Sequence, residues 1–524
     1  MKRFVPTERE RLLFRRQFVL GPNFLNKFSS WQKAKIGDHL FLNAHPDLEL
    51  TQIKQQGTEL TLLGYLIDPD EPEFGNQDIL EKLLSQIETP NDILDKTSVL
   101  GGRWILILDN GKETMLFNDA CGLRQVFYTD CSFPQNWCAS QPGIIAEELG
   151  LGIDKNAENF INSLYFKHER EYWWPGDSSP FKEIRHLLPN HYLDLRKRIC
   201  RRYWPNKKLN HISLEEGVEK SSEILKGLMK SASNRFDLAF AITAGWDTRV
   251  LLAASKEFSQ NIFYYTLIYL DLTDESPDLK IPSNLLPQLG LKHNIIRCPS
   301  HMDNEFEEIY KRNVVTAHDT FGSIAQGLYN HYPQNRVCVQ GCINSEIAKN
   351  SCYYYVLANS KNVNARKLER VFQPDRIIKA MFDNSFRIKH FEKWLSGARQ
   401  IGERYNINVF DLFGWEQVTG NLRAMMQLEW DIVQEVFSPY NCRALLATLL
   451  AVDTKFRKLP RYKLYTKIIT SLWREVLSEP CNPISIKRKV RHLVTALLVR
   501  TGTYNIARSL SATVKEKLRF SAWS

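Results

Sequence analysis

The stretch Asp237–Ser255, DLAFAITAGWDTRVLLAAS, decides the fold class of the second half of this chain. An apolar run ends at a hydroxyl residue, a turn of small residues and an aspartate follows, and an apolar helical pattern then resumes. A strand, a small-residue turn and a helix together direct backbone N–H groups and a helix N-terminus at one point, which is an arrangement that binds anions. The stretch therefore predicts a βα unit with an anion-binding turn at residues 243–248.

The residue types in the turn indicate what it would bind. Its small residues allow close approach of the backbone, and its two threonines add hydroxyl donors. Asp247 would repel a bare phosphate, so its presence predicts a divalent cation between the two. The turn lacks the Gly-Lys-Ser/Thr of a Walker A loop and the third glycine of a dinucleotide fingerprint. A βα turn capped by aspartate and without a ligand is the other interpretation, and the turn alone does not decide between them. The residues expected at the anion are Thr243, Ala244, Gly245, Trp246, Asp247 and Thr248.

The chain on either side of this turn changes character near residue 205. Up to about Trp204 the pattern predicts short strands and turns with one helical interruption, and Asp109-Asn110-Gly111 predicts a hairpin. After the polar stretch 205–216, strand patterns alternate with helical ones, which predicts βαβ units and a largely parallel sheet. We expect domains at 1–205 and 206–483 and a basic helical tail at 484–524. The four predicted strands are 236–243, 261–268, 293–298 and 336–340.

Length and composition narrow the class of protein. A chain of 524 residues predicts two or three domains. The net charge of +10 does not by itself indicate nucleic acid, because a basic enzyme that handles nucleotides carries the same excess, and we expect no nucleic-acid partner. Ten cysteines without a Cys-x-x-Cys pair favour a reducing compartment over a disulfide framework. The charged segment 1–17 is not typical of a signal peptide and no apolar run is long enough to span a bilayer, so we expect a cytoplasmic protein.

The ordered series of motifs along the chain resembles the asparagine synthetase family. In that family a class II glutaminase-like domain precedes a synthetase domain with the pyrophosphate loop of the N-type ATP pyrophosphatases. The turn is similar to that loop, Ser-Gly-Gly-x-Asp-Ser, with threonine for each serine and alanine for the first glycine. The other similar segments are 101–128, 184–195, 276–296, 339–350 and 428–446.

The resemblance implies both a fold and a reaction. The fold would be α/β and multidomain, with an N-terminal Ntn-type αββα sandwich followed by a parallel-sheet domain of the adenine nucleotide α-hydrolase-like type. The reaction would be ATP-dependent amide formation: a carboxylate attacks the α-phosphate, pyrophosphate leaves, and ammonia or an amine attacks the acyl-adenylate. ATP and Mg²⁺ are the implied cofactors. A homodimer or a separate ammonia-supplying protein is the implied partner.

The first domain departs from the family at its glutaminase site. Class II glutaminases use an N-terminal cysteine, exposed once Met is removed, whose free amine acts as base. Here position 2 is Lys2, and the first cysteine is Cys121. Leu63 precedes Gly64 where the family has the Asn-Gly oxyanion pair. We therefore expect this domain not to hydrolyse glutamine and to serve as a structural remnant or a docking surface, unless the true start of the protein lies elsewhere.

The resemblance also assigns roles in the second domain. Asp247 and Glu346 are the implied metal ligands, although the family's second metal-binding aspartate is replaced here by Ser345. Asp278 and Gly341 are the implied further nucleotide contacts. The alternative for Glu346 is a solvated acid that binds nothing.

The implied catalytic residues are Glu346, Glu429 and Lys487. Glu429, with Asp431 beside it, would act on the incoming amine as general base or orienting group. Lys487 would steady the developing phosphate charge, and Lys467 is the other candidate for that lysine. We expect the histidines His293 and His318 to be ordinary packed or surface residues.

A second class of function stays open. The chain could be a non-catalytic nucleotide-binding or scaffold protein that inherited both domains. Retention of Asp247 between two threonines argues against complete decay of the site, and the loss of aspartate at Ser345 argues for it. The sequence does not choose the acid or the amine.

Overall fold

The computed structural model describes residues 6–349, 363–371, 385–458, 462–483 and 494. A π-helical segment covers Gly414–Arg423, and short 3₁₀ turns cover Asn26–Phe28, Thr97–Val99, Lys256–Asn261 and Arg474–Leu477. The strands are β1 (Phe18–Gly21), β2 (Gln32–Ile36), β3 (Leu40–Ala44), β4 (Leu50–Gln55), β5 (Thr58–Ile67), β6 (Gly101–Asp109), β7 (Thr114–Asn118), β8 (Phe127–Thr129), β9 (Cys138–Ala139), β10 (Ile184–His186), β11 (His191–Asp194), β12 (Ile199–Arg202), β13 (Leu238–Ala241), β14 (Phe263–Ile268), β15 (His293–Arg297), β16 (Val337–Val339) and β17 (Glu435–Phe437). The α-helices are α1 (Pro6–Leu12), α2 (Asn76–Ser85), α3 (Asp92–Lys96), α4 (Pro142–Leu149), α5 (Lys155–Ile161), α6 (Leu164–His168), α7 (Leu214–Arg235), α8 (Trp246–Ala254), α9 (Pro277–Gln288), α10 (Asn304–Asn313), α11 (Asp319–His331), α12 (Ala365–Val371), α13 (Ser385–Tyr405), α14 (Val409–Phe413), α15 (Ala424–Trp430), α16 (Arg443–Ala451), α17 (Thr454–Arg457) and α18 (Lys463–Trp473).

The first twelve strands form two antiparallel sheets packed face to face. Their strand orders are β10-β8-β9-β1-β3-β2 and β12-β11-β7-β6-β5-β4. Leu42 of the first sheet and Ile105 of the second belong to the apolar core between them. Helices α2 and α3 cover the outer face of the second sheet, and α4 covers that of the first. The four layers therefore follow the order helix, sheet, sheet, helix, as expected for an αββα sandwich.

The central strands of this sandwich are apolar on both faces because both faces are covered. Along β6, Ile105 and Ile107 face the core between the sheets, whereas Leu106 and Leu108 face the helices. Such strands give continuous apolar runs instead of alternation. The predicted hairpin is confirmed, since β6 pairs antiparallel with β7 around Gly111, which has a φ of 79°. The single predicted helical interruption is wrong, because covering the two outer faces requires several short helices.

The third sheet is entirely parallel, with the strand order β15-β14-β13-β16-β17. The predicted parallel sheet and its four predicted strands are confirmed, while β17 was not predicted as a strand. The first strand of this sheet lies at its centre, with β14 and β15 on one side and β16 and β17 on the other. Between β13 and β16 the chain reverses its direction of winding, and ligands of such sheets bind outside the carboxyl ends of the strands at that point.

A buried cluster of charges joins the sandwich to the parallel sheet. The guanidinium of Arg103 donates to both carboxylate oxygens of Asp431, and Arg124 donates to both oxygens of Glu435 at 3.0 Å. Arg16 lies 3.6 Å from Glu435. Burial opposes ionisation of Glu435, but Arg124 and Arg103 outweigh it and hold its pKa at about 2. Asp431 therefore lies at this junction, paired with Arg103, and its expected role at the acyl site stays a prediction.

Two further expectations concern membrane-spanning helices and the C-terminal tail. Among the described helices, none is both long enough and apolar enough to cross a membrane. The expected helical tail at 484–524 lies outside the described residues apart from Val494. The domain bounds stay a prediction.

Candidate functional site

A cavity of about 720 Å³ opens at the reversal point of the parallel sheet. Its walls include the ends of β13, β14 and β16 and the start of α8. Residues 169–171, which precede β10 in the sandwich part of the chain, line the same cavity. The site is therefore built by both parts of the chain.

The predicted turn follows β13 and leads directly into α8. Gly245 is the extended residue before the helix, with a φ of −70° and a ψ of 152°. The Thr248 hydroxyl lies 3.1 Å from the carbonyl oxygens of both Thr243 and Gly245, and the Gly245 N–H donates to the Thr243 hydroxyl at 3.2 Å. The two threonine hydroxyls are 3.3 Å apart and border the cavity. The turn is thus closed by its own side chains with both hydroxyls at the cavity wall.

A backbone N–H of the turn binds a carboxylate in this structure. The Ala244 N–H donates to Oδ1 of Asp278 over 3.1 Å. Asp278 is in the first turn of α9 and lines the cavity. The structure thereby brings the turn and Asp278 together, and it shows that this N–H can donate a hydrogen bond to an anionic oxygen.

The remaining predicted residues of the turn region have distinct positions. The Trp246 ring lies 5.5 Å from the Tyr462 ring and is not part of the cavity wall, so only its backbone can serve an anion there. A Cβ on Gly341, just after β16, would lie 3.1 Å from the backbone nitrogen of Thr248 and 3.2 Å from Cβ of Asp247. A side chain at Gly341 would therefore be tight against the start of α8, which this loop approaches closely.

Asp247 is buried and accepts hydrogen bonds from three side chains. Its Oδ1 accepts from the Asn344 amide at 2.8 Å. Its Oδ2 accepts from the Ser345 hydroxyl and from Nζ of Lys349, each at 2.6 Å. Lys349 also borders the cavity. The sequence analysis missed Lys349, which follows Glu346 by three residues.

Glu346 also pairs with a cation, but a different one. Its Oε1 accepts from two nitrogens of Arg423 at 2.9 and 2.6 Å, and Arg423 lies 3.5 Å from Glu171 of the sandwich part. Burial would lower the pKa of Arg423, but Glu346 and Glu171 outweigh it and raise that pKa. Arg423 lines the cavity at the end of the π-helical segment and was also missed.

These pairings bear on the implied metal site. Asp247 and Glu346 each have their own side-chain cation. Across the residues that the structure describes, no group of three or more His, Cys, Asp or Glu side chains is placed to hold a metal ion. The arrangement does not fit a magnesium ion held jointly by Asp247 and Glu346.

Glu429 does not line the cavity, which gives no support to its implied catalytic role. On α15, Met426 and Trp430 line the cavity, and Glu429 points to another side of the helix. Its carboxylate is fully buried, with Oε1 2.7 Å from Nδ1 of His318 and Oε2 accepting from the Tyr310 hydroxyl. Glu429 therefore belongs to a buried polar cluster, and His318 is a packed histidine as expected.

The candidate lysines are placed as follows. Lys487 lies outside the described residues. Lys467 is exposed on α18, pairs with Glu215 at 3.1 Å and does not line the cavity. Lys349 is the lysine that lines it. His293 hydrogen-bonds to Thr266 at 2.9 Å, and burial lowers its pKa, which agrees with a packed residue.

The sandwich part shows no reactive thiol at Cys121. This residue is fully buried, its N–H donates to Asn441 at 2.9 Å, and burial raises its thiol pKa. Leu63, at the position of the missing oxyanion donor, lies in the core between the sheets. The expected lack of glutaminase activity stays a prediction, because residues 1–5 lie outside the described ones.

Comparison with known proteins gives only remote similarities. No family model and no curated protein matches the chain. A structure titled as the allosteric regulatory enzyme of purine biosynthesis is 11% identical, with 59% of this chain and 75% of that chain covered and a TM-score of 0.25. Glutamine phosphoribosylpyrophosphate amidotransferase from B. subtilis, complexed with ADP and GMP, is 9% identical, with 63% and 90% covered and a TM-score of 0.21. Similarity at these scores assigns neither a fold nor an activity to this chain.

Proposed function

We propose that the chain binds ATP in this cavity and uses it to join a carboxylate to a nitrogen nucleophile as an amide. The observation that carries the proposal is the β13–turn–α8 unit at the reversal point of a parallel sheet, where the Ala244 N–H already binds an anionic oxygen. The motifs that resemble the asparagine synthetase family support the same reaction.

The size and lining of the cavity support a nucleotide together with a second substrate. A volume of about 720 Å³ lies within the range of small-molecule sites. Polar residues of the turn form one wall, while Leu267, Phe321 and Ile324 contribute apolar surface for a base or an acyl chain. We place the pyrophosphate at the turn, because that is where N–H and hydroxyl donors converge.

The reaction has two steps. A carboxylate oxygen attacks the α-phosphorus, the bond to the bridging oxygen breaks, and pyrophosphate leaves toward the turn. The nitrogen nucleophile then attacks the acyl carbon, AMP leaves and the nitrogen loses a proton. Catalysis would rest on positioning and charge neutralisation, with Lys349 and Arg423 as the cations at the cavity wall. We propose ammonia or an amine as the nitrogen donor, because Cys121 is buried and offers no thiolate for the hydrolysis of glutamine.

A scaffold that binds a nucleotide without turnover is the second candidate. The observation that favours it is the Asp247–Lys349 pair, which already neutralises the carboxylate of the turn. Binding does not separate the two candidates, because both bind ATP, whereas turnover does.

The test is pyrophosphate release from MgATP across a panel of carboxylic acids, with ammonium or glutamine as nitrogen source. We expect release with ammonium and one class of acid, and no release with glutamine. In Asp247→Asn release should fall about 100-fold, because Lys349 loses the carboxylate that holds its ammonium at the turn, and misplacing one preorganised charge contact costs about this much in a transition state. Asp38→Asn is the matched control, because Asp38 is fully exposed far from the cavity.

Unchanged release in Asp247→Asn would contradict the assignment of the turn. Release supported by glutamine would contradict the silent first domain. ATP binding without release for any acid would favour the scaffold.

A further inference from the structure

We propose that the ammonium of Lys349 is the resident cation of the turn at residues 243–248, and that it takes the place which the family resemblance gives to a protein-bound metal ion. The inference deepens the proposed ATP site and rests on it. Lys349 holds the carboxylate of Asp247 and presents positive charge to the phosphates.

The geometry around Asp247 is the first step of the argument. Its carboxylate accepts from the Asn344 amide, the Ser345 hydroxyl and the Lys349 ammonium. An amide nitrogen and an ammonium cannot be ligands of Mg²⁺, which prefers an octahedral set of oxygens at about 2.0–2.1 Å. A magnesium ion at Asp247 would therefore find three of the about four acceptor sites of the carboxylate taken, with the Lys349 ammonium already 2.6 Å from Oδ2.

The position of the replaced aspartate is the second step. Ser345 stands where the resemblance implies a second carboxylate, and its hydroxyl donates to Asp247. The neighbouring Glu346 is paired with Arg423. A serine hydroxyl that donates to Asp247 thus stands in place of a second carboxylate, and the carboxylate of Glu346 is paired with Arg423. Both features leave fewer carboxylate oxygens for a metal ion.

The fixation of Lys349 is the third step. Its side chain is 7% exposed, and Nζ lies 5.7 Å from the centre of the Tyr462 ring, within the range of a cation–π contact. Its backbone N–H donates to the Asn344 carbonyl at 3.0 Å, which closes the loop after β16. An ammonium has three N–H donors, and the bond to Asp247 uses one of them.

Electrostatics explain why such a cation is needed. Asp247 lies in the first turn of α8, beside the N–H groups that would receive pyrophosphate. A buried carboxylate there would repel the phosphates and reverse the favourable effect of the helix N-terminus. The Lys349–Asp247 pair has no net charge, so the groups that would face a phosphate at this turn are its N–H groups, the Lys349 ammonium and the Asp278 carboxylate, which the Ala244 N–H binds.

The experiment measures binding of ATP and of pyrophosphate to the full chain by titration calorimetry, in Mg²⁺ and in EDTA. For the unmodified protein, we expect the pyrophosphate Kd to change by less than about threefold between the two conditions. Lys349→Met should weaken binding in EDTA about 10- to 100-fold, because a hydrogen bond to a charged group is lost, and Mg²⁺ should restore part of it through the freed Asp247 carboxylate. Lys349→Arg should retain binding in EDTA. Lys226→Met is the control, since that exposed lysine pairs with Glu257 and lies outside the cavity wall.

A second variant covers the case in which Lys349→Met leaves Asp247 unpaired and does not fold. In Asp247→Asn/Lys349→Met both charges are gone, so the site stays neutral, and pyrophosphate binding should be weak in EDTA without rescue by Mg²⁺. Loss of more than tenfold in EDTA for the unmodified protein would overturn the inference. Equal binding by the unmodified and Lys349→Met proteins in EDTA would also overturn it. In either case ATP binding in Mg²⁺ would leave the proposed function standing, whereas absence of ATP binding in both conditions would remove the function and the inference together.

Discussion

Replacing Asp431 by Asn is expected to weaken the junction between the sandwich and the parallel sheet. Its carboxylate accepts two hydrogen bonds from Arg103 and lies 3.7 Å from Arg124. The buried cluster sets three guanidinium groups against two carboxylates, since Arg16 and Glu435 complete it. The variant keeps the shape of the side chain and leaves three positive charges against one negative charge.

The magnitude follows from what remains after the change. Breaking a buried ion pair by removing one partner costs about 3–5 kcal/mol of the free energy of unfolding. Arg103 keeps contacts with Glu435 and with the Leu123 carbonyl, both at 3.2 Å, so we expect the lower end, about 3 kcal/mol. Arg103→Met also removes one partner of this pair and leaves the buried Asp431 carboxylate without its two donors, so we expect a similar loss, about 3 kcal/mol.

The assay is urea unfolding at 25 °C, followed in parallel by tryptophan fluorescence and far-UV circular dichroism. Coincidence of the two signals tests whether one transition describes the unfolding of both parts. Asp274→Asn is the control, because Asp274 forms an exposed pair with Arg297 and should change the free energy of unfolding by less than about 1 kcal/mol. The reasoning is refuted if either Asp431→Asn or Arg103→Met stays within about 1 kcal/mol of the unmodified protein.

Three further predictions concern pH and packing. Arg124 and Arg103 hold the pKa of Glu435 below its ordinary value of 4.5 in the folded protein, so its charge stabilises the fold above pH 4.5 and that contribution is lost as the pH falls toward 2. Burial raises the pKa of the neighbouring Asp431, which acts in the opposite direction. Glu435→Gln should therefore flatten the pH dependence of the urea midpoint between pH 5 and 3, and an unchanged slope would count against this role. Gly341→Ala should cost about 1–3 kcal/mol in urea unfolding and weaken ATP binding by calorimetry, because the new Cβ crowds the start of α8; full retention of both would show that the loop can move aside. Glu429→Gln should lower stability by about 1–3 kcal/mol through its hydrogen bonds to His318 and Tyr310 but leave the Kd for ATP unchanged, and a weakened Kd would return Glu429 to the site.

The elements that were predicted correctly have a local signal in the sequence. The turn at 243–248 could be predicted because small and hydroxyl residues lie there between two apolar runs. The four predicted strands are short apolar runs separated by helical intervals, and this alternation of strands and helices is typical of a parallel sheet. β17 lacks such a signal, because one of its three residues is the charged Glu435, whose pairing with Arg103 and Arg124 the sequence does not show.

The residues that were missed or misplaced depend on contacts distant in the chain. Arg423 reaches the cavity at the end of a π-helical segment, which no pattern in the sequence predicted. Glu429 was misplaced because the sequence does not state which side of α15 faces the cavity. Met426 and Trp430, four residues apart, share one side of the helix, and Glu429 is turned away from it by one residue.

The stretch 169–171 gives the sandwich part a share in the cavity wall, and Glu171 holds Arg423 from that side. A chain cut at the junction would open the cavity on that flank and leave the arginine one carboxylate short. The second part therefore depends on the first for one wall of its cavity. The sandwich contributes to the site through its structure, independently of any chemistry of its own.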